Sequence, residues 1–419
     1  MALCLNYQFK IIPRMFSEVI TLKGHIIDSL TLAKVLDKIL VMGGSFTVLD
    51  IEVGKKPSEI SYATLRIEAE TLKSLNKVIA TLTLHGAVLQ KQADITLEKA
   101  LKGGVFPEEF YSTSNLETWV HHENRWSQVK GQEMDIGVRY NPETKTFHGT
   151  PMSDVKKGEL YVVGHEGIRV TPLEKETERH GFQFMSSEIS TEKPKARLVF
   201  EAARQIRENR RKGLKNLFVL GPAVVHSGGS DAVVELIEMG CVDILFAGNA
   251  LAAHDIEAAF FGTSLGVSLE GGDYAEHGNE HHLRAINRIR KAGSIKNAVK
   301  KGELKSGIMH ACVTNNVPYI LAGSIRDDGP LPEVMSDCME VQKVLRKKIK
   351  KVGTTVVVGT VLHGIAVGNL LPASVPIICA DINPSSFTKF TDRGSIQSLG
   401  IVMDGASFLQ ELANNLRNT

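Results

Sequence analysis

Residues 352–380 contain no Asp, Glu, Lys or Arg. That run exceeds the roughly 20 apolar residues that cross a bilayer, so the chain either spans a membrane there or buries the run in a protein core. Gly353, Gly359, Gly364, Gly368, Pro372 and Pro376 interrupt it and divide its apolar residues into two short clusters, TVVVG and VPIICA, on either side of a candidate helix. Strands buried on both faces of a parallel sheet read this way, because helices cover both sides and no polar alternation is needed. The run therefore predicts strand, helix, strand, with no membrane span.

The surrounding sequence continues the pattern. After residue 214 come LFVLG, the helical DAVVELIEMG, then VDILFAG, NVPYILAG, TTVVVGT, VPIICAD and LGIVMD, strands that end in Gly, Asp or Asn. In open α/β sheets ligands gather at the carboxyl ends of the strands, so these strand ends are the first place to look for a site. Residues 194–213 predict a helix, with Leu198, Ala202 and Ile206 on one face and a cationic end that suits the helix dipole. Residues 1–105 alternate as βαββα, a small sheet with helices on one face, with Ser29 as N-cap of the first helix and Gly43 and Gly44 as its stop. Residues 106–185 hold both tryptophans, Trp119 and Trp126, in short alternating runs and read as a β-rich segment. The expected fold is thus α/β: a C-terminal Rossmann-like parallel-sheet domain over residues 190–419, a small N-terminal α+β domain over 1–105 and a β-rich insert over 106–185.

Charge and cysteine usage narrow the function. Forty-nine basic against 47 acidic side chains leave +2, too balanced for a chain that wraps nucleic acid electrostatically. Arg207, Arg210, Arg211 and Lys212 lack interleaved aromatics and read as a solvated helix face. Cys4, Cys241, Cys312, Cys338 and Cys379 are odd in number and contain no C-x-x-C, which fits neither a disulfide framework nor a zinc ribbon and points to a reducing cytoplasm. MALCLNYQFKII has polar breaks and no basic region before its apolar run, so no signal peptide is expected.

The sharpest motif is TTVVVGTVLHGIAVGNLL followed by VPIICAD, in which Asp381 stands 22 residues beyond Gly359. That spacing suits a dinucleotide fold, where a helix N-terminus receives a pyrophosphate and a strand-end acid binds the adenosine ribose and repels a 2′-phosphate. The glycine spacing G-x4-G-x3-G departs from G-x-G-x-x-G, and glycines that only permit close helix packing remain the alternative. FAGNALAAHD and ILAGSIRDDGPLP add Asn249, Ala250, Ser324, Arg326, Asp327 and Asp328 at strand ends. Asp327 and Asp328 beside Arg326 could grip an amine and a carboxylate of one small substrate, or form a surface turn with a local ion pair. GPAVVHSGGSDA resembles an anion cradle and is also ordinary turn chemistry. His277, Glu280 and His281 match H-x-x-E-H, yet Gly278 and Asn279 make the segment a helix entry, so no metal is expected and His277, Asn279 and His281 stay as substrate-contact candidates.

These motifs carry a resemblance that covers essentially the whole chain. FSEVITLKGHIIDSLTLAKVLDKI and GGSFTVLDIEVG resemble the conserved region of lysine-ketoglutarate reductase/saccharopine dehydrogenase proteins. LGPAVVHSGG, FAGNALAAHDIE, HGNEHHLRAIN, VPYILAGSIRDDGPLPEV, VVVGTVLHGIAVGNLLP and CADINPSSFTKFTDRG resemble the NAD-dependent ornithine cyclodeaminases of archaea and the C-terminal part of cyanobacterial arginine-dihydrolase fusion enzymes. No guanidine-processing domain precedes these motifs, so arginine hydrolysis is not implied. The resemblance implies NAD held by Asn249, Ala250, Asp328, Thr360, Val361, Leu362, His363, Asp381, Asp404 and Gly405.

The implied reaction converts ornithine to proline and ammonia without net redox change, as part of proline biosynthesis and arginine and ornithine metabolism. Chemical need assigns Asp327 or Asp328, Arg326 and His281 to the amine, the carboxylate and the proton shuttle. The expected partners are an amino-acid substrate and further copies of the same chain in a cytoplasmic homo-oligomer, with no nucleic acid or membrane. An NAD-linked dehydrogenase acting on a saccharopine-like adduct, or a non-catalytic NAD-binding regulator, are the alternatives.

Overall fold

The computed structural model describes residues 15–417 apart from 28, 57–58, 84, 90–92, 172–194, 270–272, 274, 276–277, 328 and 393–397. These residues divide into two compact units, 1–183 and 184–419. The N-terminal dodecapeptide lies outside them.

In the first unit β1 (Phe16–Gly24), α1 (Thr31–Val41), β2 (Ser45–Glu52), β3 (Ser61–Ala69), α2 (Leu72–Thr83) and β4 (Val88–Leu89) form the βαββα module. The sheet order is β2-β3-β1-β4. Along β3 burial alternates strictly, so Ala63, Leu65 and Ile67 meet Val35, Ile39, Leu75 and Val78 of the two helices. Ser29 does not cap α1: the N-cap is Leu30 in a left-handed conformation, φ 57°, and the Ser29 hydroxyl bonds His25 O and Thr31 Oγ1 instead. The Ser29 hydroxyl also accepts the N–H of Thr31, the first helical residue, at 3.4 Å, a longer contact than those with its nearer partners. Gly43, φ +76°, stops α1 as its sequence predicts.

The β-rich segment comprises β5 (Thr96–Lys99), β6 (Thr118–His122), β7 (Arg125–Lys130), β8 (Gly137–Asn141), β9 (Thr146–Thr150), β10 (Leu160–Val163) and β11 (Ile168–Val170), in the order β11-β6-β7-β9-β8-β10-β5. Glu123 and Asn124, φ 51° and 60°, are the two positive-φ residues that close the β6–β7 hairpin. The Arg169 guanidinium lies over both Trp119 and Trp126, which accounts for the tryptophans as structure.

The second unit contains α3 (Lys195–Arg211), β12 (Lys215–Leu220), α4 (Ala223–His226), α5 (Ser230–Glu238), β13 (Ile244–Gly248), α6 (Asn249–Phe261), β14 (Thr263–Ser264) and β15 (Val267–Ser268). It continues with α7 (His281–Ala292), α8 (Ile295–Lys300), α9 (Ile308–Thr314), β16 (Tyr319–Ala322), β17 (Val334–Met335), α10 (Cys338–Lys348), β18 (Val352–Val358), α11 (Val361–Leu370), β19 (Ile377–Asp381), α12 (Ser385–Asp392), β20 (Ser398–Val402) and α13 (Gly405–Arg417). The charge-free run is β18, α11 and β19, and no helix among the described residues is long and apolar enough to cross a membrane. The sheet is parallel throughout, in the order β17-β16-β13-β12-β18-β19-β20. From β12 the chain winds outward to β17, then returns to the other side of β12 as β18 and winds outward again. One face is covered by α3, α5, α9 and α13 through Ile206, Leu236, Met309 and Leu412, the other by α10, α11 and α12 through Leu345, Val367 and Phe390. A doubly wound sheet of this order has its switch point between β12 and β18, the place where folds of this kind bind their ligands.

Candidate active site

At the switch point the backbones of two loops almost touch. Gly221, after β12, donates its N–H to Val358 O at 2.9 Å, and a Cβ on Gly221 would fall 2.6 Å from the Gly359 carbonyl carbon and closer still to its oxygen. Gly359, φ +65°, turns the chain from β18 into α11, and Thr360 follows as N-cap with extended backbone and no side-chain capping bond. The first-turn N–H groups of Val361, Leu362 and His363 are therefore not capped by a side chain, which is the arrangement that receives an anion. Leu362 is 76% exposed. His363 packs on Phe246 with ring centroids 5.0 Å apart, its Nδ1 is buried without a partner, and burial lowers its pKa. The glycines divide between two structural roles. Gly359 serves the turn, whereas a Cβ on Gly364 would come within 2.8 Å of Phe390 Cε1 and Val357 Cγ1, so Gly364 permits packing of α11 on α12 and the sheet.

Three further strand ends face the same edge. Asp381 ends β19, and its Oδ1 accepts the Asn383 N–H at 2.8 Å. It thus forms a side-chain turn through one carboxylate oxygen. Asp404 caps α13, accepting from Ser407 N at 2.9 Å and Ser407 Oγ at 3.1 Å. A Cβ on Gly405 would meet Val358 Cγ1 at 2.9 Å, so the start of α13 closes directly on the end of β18. The segment GPAVVHSGGSDA forms α4 and the turn after it. A Cβ on Gly229 would lie 3.2 Å from Ala406 Cα, which places this turn against the same helix start.

Asn249, the first residue of α6, is 7% exposed. Its Nδ2 donates to Asp327 Oδ1 at 3.0 Å and its Oδ1 accepts Leu331 N–H at 3.1 Å. The other Asp327 oxygen accepts Ser324 N–H at 2.7 Å. Asp327 is thus engaged in holding Asn249 and its own turn, while Arg326 beside it is exposed. Ala250 is exposed in the first turn of α6. Asp328 and His277 lie outside the described residues, and of Asn279 only the backbone, within the single turn Gly278–Glu280, is described. No group of three or more His, Cys, Asp or Glu among the described residues is placed to hold a metal.

His281 opens α7, stacked on Phe261 with centroids 4.6 Å apart, and its Nδ1 meets Thr263 Oγ1 at 2.9 Å. Behind it stands a cluster that the motif reading misses. Glu257 has no exposed side-chain surface and meets His254 Nδ1 at 2.8 Å. It also accepts from Thr263 Oγ1 at 2.9 Å and Gly266 N at 3.0 Å. Burial would raise the Glu257 pKa, but the bonds from His254, Gly266 and Thr263 outweigh it and hold it below the ordinary carboxylate value. His226, at the end of α4, meets Ser264 Oγ at 2.6 Å, and its ring lies 4.8 Å from that of His254. Burial, then the neighbouring His254, lowers the His226 pKa against the opposing pull of Glu257. The sequence signal for this cluster is the His254-x-x-Glu257 spacing inside a helix that is apolar apart from these two, Asn249 and Asp255.

Comparison with known proteins matches the chain in three consecutive pieces. Residues 17–116 match the LOR/SDH bifunctional enzyme conserved region, 117–199 the first region of the arginine dihydrolase ArgZ-like C-terminal part, and 200–412 its Rossmann fold. A protein named ornithine cyclodeaminase from Methanothermobacter thermautotrophicus is 45% identical over 404 residues, 96% of this chain and 98% of that one. The crystal structure of apo ArgZ, a cyanobacterial arginine dihydrolase, superposes with a TM-score of 0.84 at 34% identity, covering 96% of this chain and 58% of that longer one. The ternary complex of AgrE with ornithine and NAD+, a protein known from Nostoc sp., superposes at 0.52 and 36% identity over the same shares.

Proposed function

The chain belongs to the arginine dihydrolase ArgZ-like C-terminal family, and from that membership we propose that it is an NAD-dependent ornithine cyclodeaminase, converting L-ornithine to L-proline and ammonia. The carrying observation is the end-to-end match, 45% identical over 98% of a protein of that name. The switch point supports it on independent grounds.

The residues present fit NAD. The backbone of Gly221 and Gly359 leaves no room for a Cβ, the α11 N-terminus carries no side-chain cap, and His363 Nδ1 is buried and unpaired. Thr360, Val361, Leu362 and His363 would hold the pyrophosphate by backbone N–H groups. Asp381 would accept from the ribose hydroxyls with its second oxygen and repel a 2′-phosphate. Asn249, Ala250, Asp404 and Gly405 complete the contact set, with Asp328. Bound there, the nicotinamide supplies a reversible hydride acceptor, which a conversion with no net redox change requires.

The chain's own groups handle charge and protons. Arg326 receives the substrate carboxylate, since it is exposed in the turn that Asp327 ties to Asn249. Asp327 acts through Asn249, because both of its oxygens are engaged. His281 moves a proton at Nε2, its Nδ1 being held by Thr263. The enzyme works in the cytoplasm as a homo-oligomer.

The test is an assay with L-ornithine and catalytic NAD+. Proline and ammonia should form in equal amounts while the near-ultraviolet absorbance of NADH stays flat. NADH growing in step with substrate loss would make the protein a dehydrogenase, and absence of ammonia would refute the reading.

A further inference from the structure

A carboxylate with no exposed surface is sustained only if its lone pairs are met. Glu257 meets that condition with three donors, and the identity of those donors fixes protons elsewhere. An ionised carboxylate can only accept. His254 therefore carries its proton on Nδ1, and Thr263 donates its single hydroxyl proton to Glu257 Oε1. Thr263 Oγ1, its proton used, can only accept from His281, so His281 also carries its proton on Nδ1. One buried charge thus holds a proton on Nδ1 of two imidazoles, so that in each ring, when neutral, Nε2 is the basic atom.

The position suits a substrate group. The rings come from α6, whose first residue is Asn249, and from the first turn of α7. His226 joins them from α4, directly after the Gly221 loop at the switch point. His254 keeps 12% of its side chain exposed while Glu257 keeps none, so the imidazole reaches the surface and the carboxylate lies behind it. The cluster holds three imidazoles and one carboxylate, with the His282 ring 6.1 Å from that of His254, and no Lys or Arg is among its members. Such a wall attracts a cation and can take a proton from it; it offers little to an anion.

Resting on the ornithine reading above, we propose that His254 and His281, both set by Glu257, form the subsite for the substrate ammonium that departs as ammonia, with Glu257 as the positioning residue. The N–H bond of the ammonium breaks, its electron pair stays on nitrogen and the proton moves to Nε2. The same proton returns to that nitrogen as its bond to carbon breaks and ammonia leaves, so the cycle ends with no proton gained or lost at the histidines.

Glu257→Gln tests it. The amide oxygen still accepts from Thr263 and Gly266, but its NH2 now faces His254 Nδ1, which must become the acceptor and carry its proton on Nε2. The expected results are a fall in kcat of roughly 100-fold, the lower range for a lost proton-transfer group, and an unchanged NAD affinity by calorimetry. The ¹⁵N spectrum of labelled histidine should show one ring switching from the Nδ1–H to the Nε2–H form. His254→Gln, whose amide still donates to Glu257, should lose kcat to the same extent and also keep its NAD affinity. Wild-type rings in the Nε2–H form, or folded variants whose kcat stays within threefold of wild type, would overturn the proposal. Wild-type protein inert toward ornithine would defeat the functional reading and this inference together, whereas active wild type with active variants defeats this inference alone.

Discussion

Replacing Asp381 separates two roles that its geometry combines. Oδ1 accepts the Asn383 N–H at 2.8 Å, which is a stability contact, while the remaining oxygen is the one assigned to the ribose. Asp381→Ala removes both. An exposed hydrogen bond of this kind contributes at most about 1 kcal/mol. Unit two has 236 residues, 184 through 419, so the melting temperature should drop by no more than roughly 2–4 °C. A charge-assisted bond to the ribose is worth about 1.5–3 kcal/mol, which translates to a Kd for NAD roughly 10- to 100-fold weaker. Asp381→Asn keeps an acceptor for Asn383 and removes only the charge. It should leave the melting temperature unchanged and still narrow the gap between NAD and NADP, because the repulsion of a 2′-phosphate is gone. Calorimetric titration of both cofactors against the three proteins measures this directly. A ratio of NAD to NADP affinity equal to wild type in both variants, with only the alanine protein less heat-stable, would reduce Asp381 to a turn residue and refute the assignment.

Three more outcomes follow from individual contacts. Gly221→Ala drives a Cβ into the Gly359 carbonyl, backbone against backbone, and should cost about 1–3 kcal/mol of stability together with NAD affinity, read by thermal melting and calorimetry. Asn249→Ala and Asp327→Ala break the same 3.0 Å bond. Each should weaken NAD binding roughly tenfold, and the double variant should be no worse than the weaker single, whereas additive losses would show independent roles. Asp255 accepts from Ile308 N at 2.7 Å and Met309 N at 2.8 Å at the start of α9, and burial pushes its pKa from 3.8 up to about 6 against those bonds. The folded state then binds this proton more tightly than the unfolded chain, so stability falls as pH rises through that window, by up to about 3 kcal/mol for two pH units. Melting temperatures of wild type against Asp255→Asn from pH 4 to 7 should show wild type losing ground as pH rises; parallel curves would contradict the shift.

What the sequence discloses depends on how local its cause is. The run from Val352 to Asp381 is readable because Gly359 and Pro376 punctuate it and its apolar clusters are of strand length; both effects act within a few residues. The order of the sheet is not readable there. That β18 returns beside β12, creating the switch point, is decided by pairings such as Leu220 with Val358, far apart in the chain. Ser29 illustrates the converse. A serine before an apolar periodic run is a sound cap signal, yet its hydroxyl is captured by His25 O and Thr31 Oγ1, and the helix starts from Leu30 in a left-handed turn. Arg326, Asp327 and Asp328 show as a charged loop, but the commitment of Asp327 to Asn249 spans 78 residues and turns a candidate substrate ligand into a support.

The histidines carry this distinction into the chemistry. His281 can be chosen from sequence because polar residues at a helix start beside a sheet edge are reasonable substrate contacts. Its tautomer cannot be chosen that way, since it depends on Thr263, which depends in turn on a carboxylate in another helix. In sequence Glu257 is one of two acids, with Asp255, in a helix otherwise rich in alanine and phenylalanine, where a buried charge is unfavourable by several kcal/mol. A helix that retains such a residue against that cost must meet its lone pairs, and His254 three residues earlier is within reach on the same face. That spacing is the local trace of a non-local device. It marks where proton positions are fixed by the fold, and it makes Glu257, which touches no opening itself, the residue whose charge decides what the open imidazoles can do.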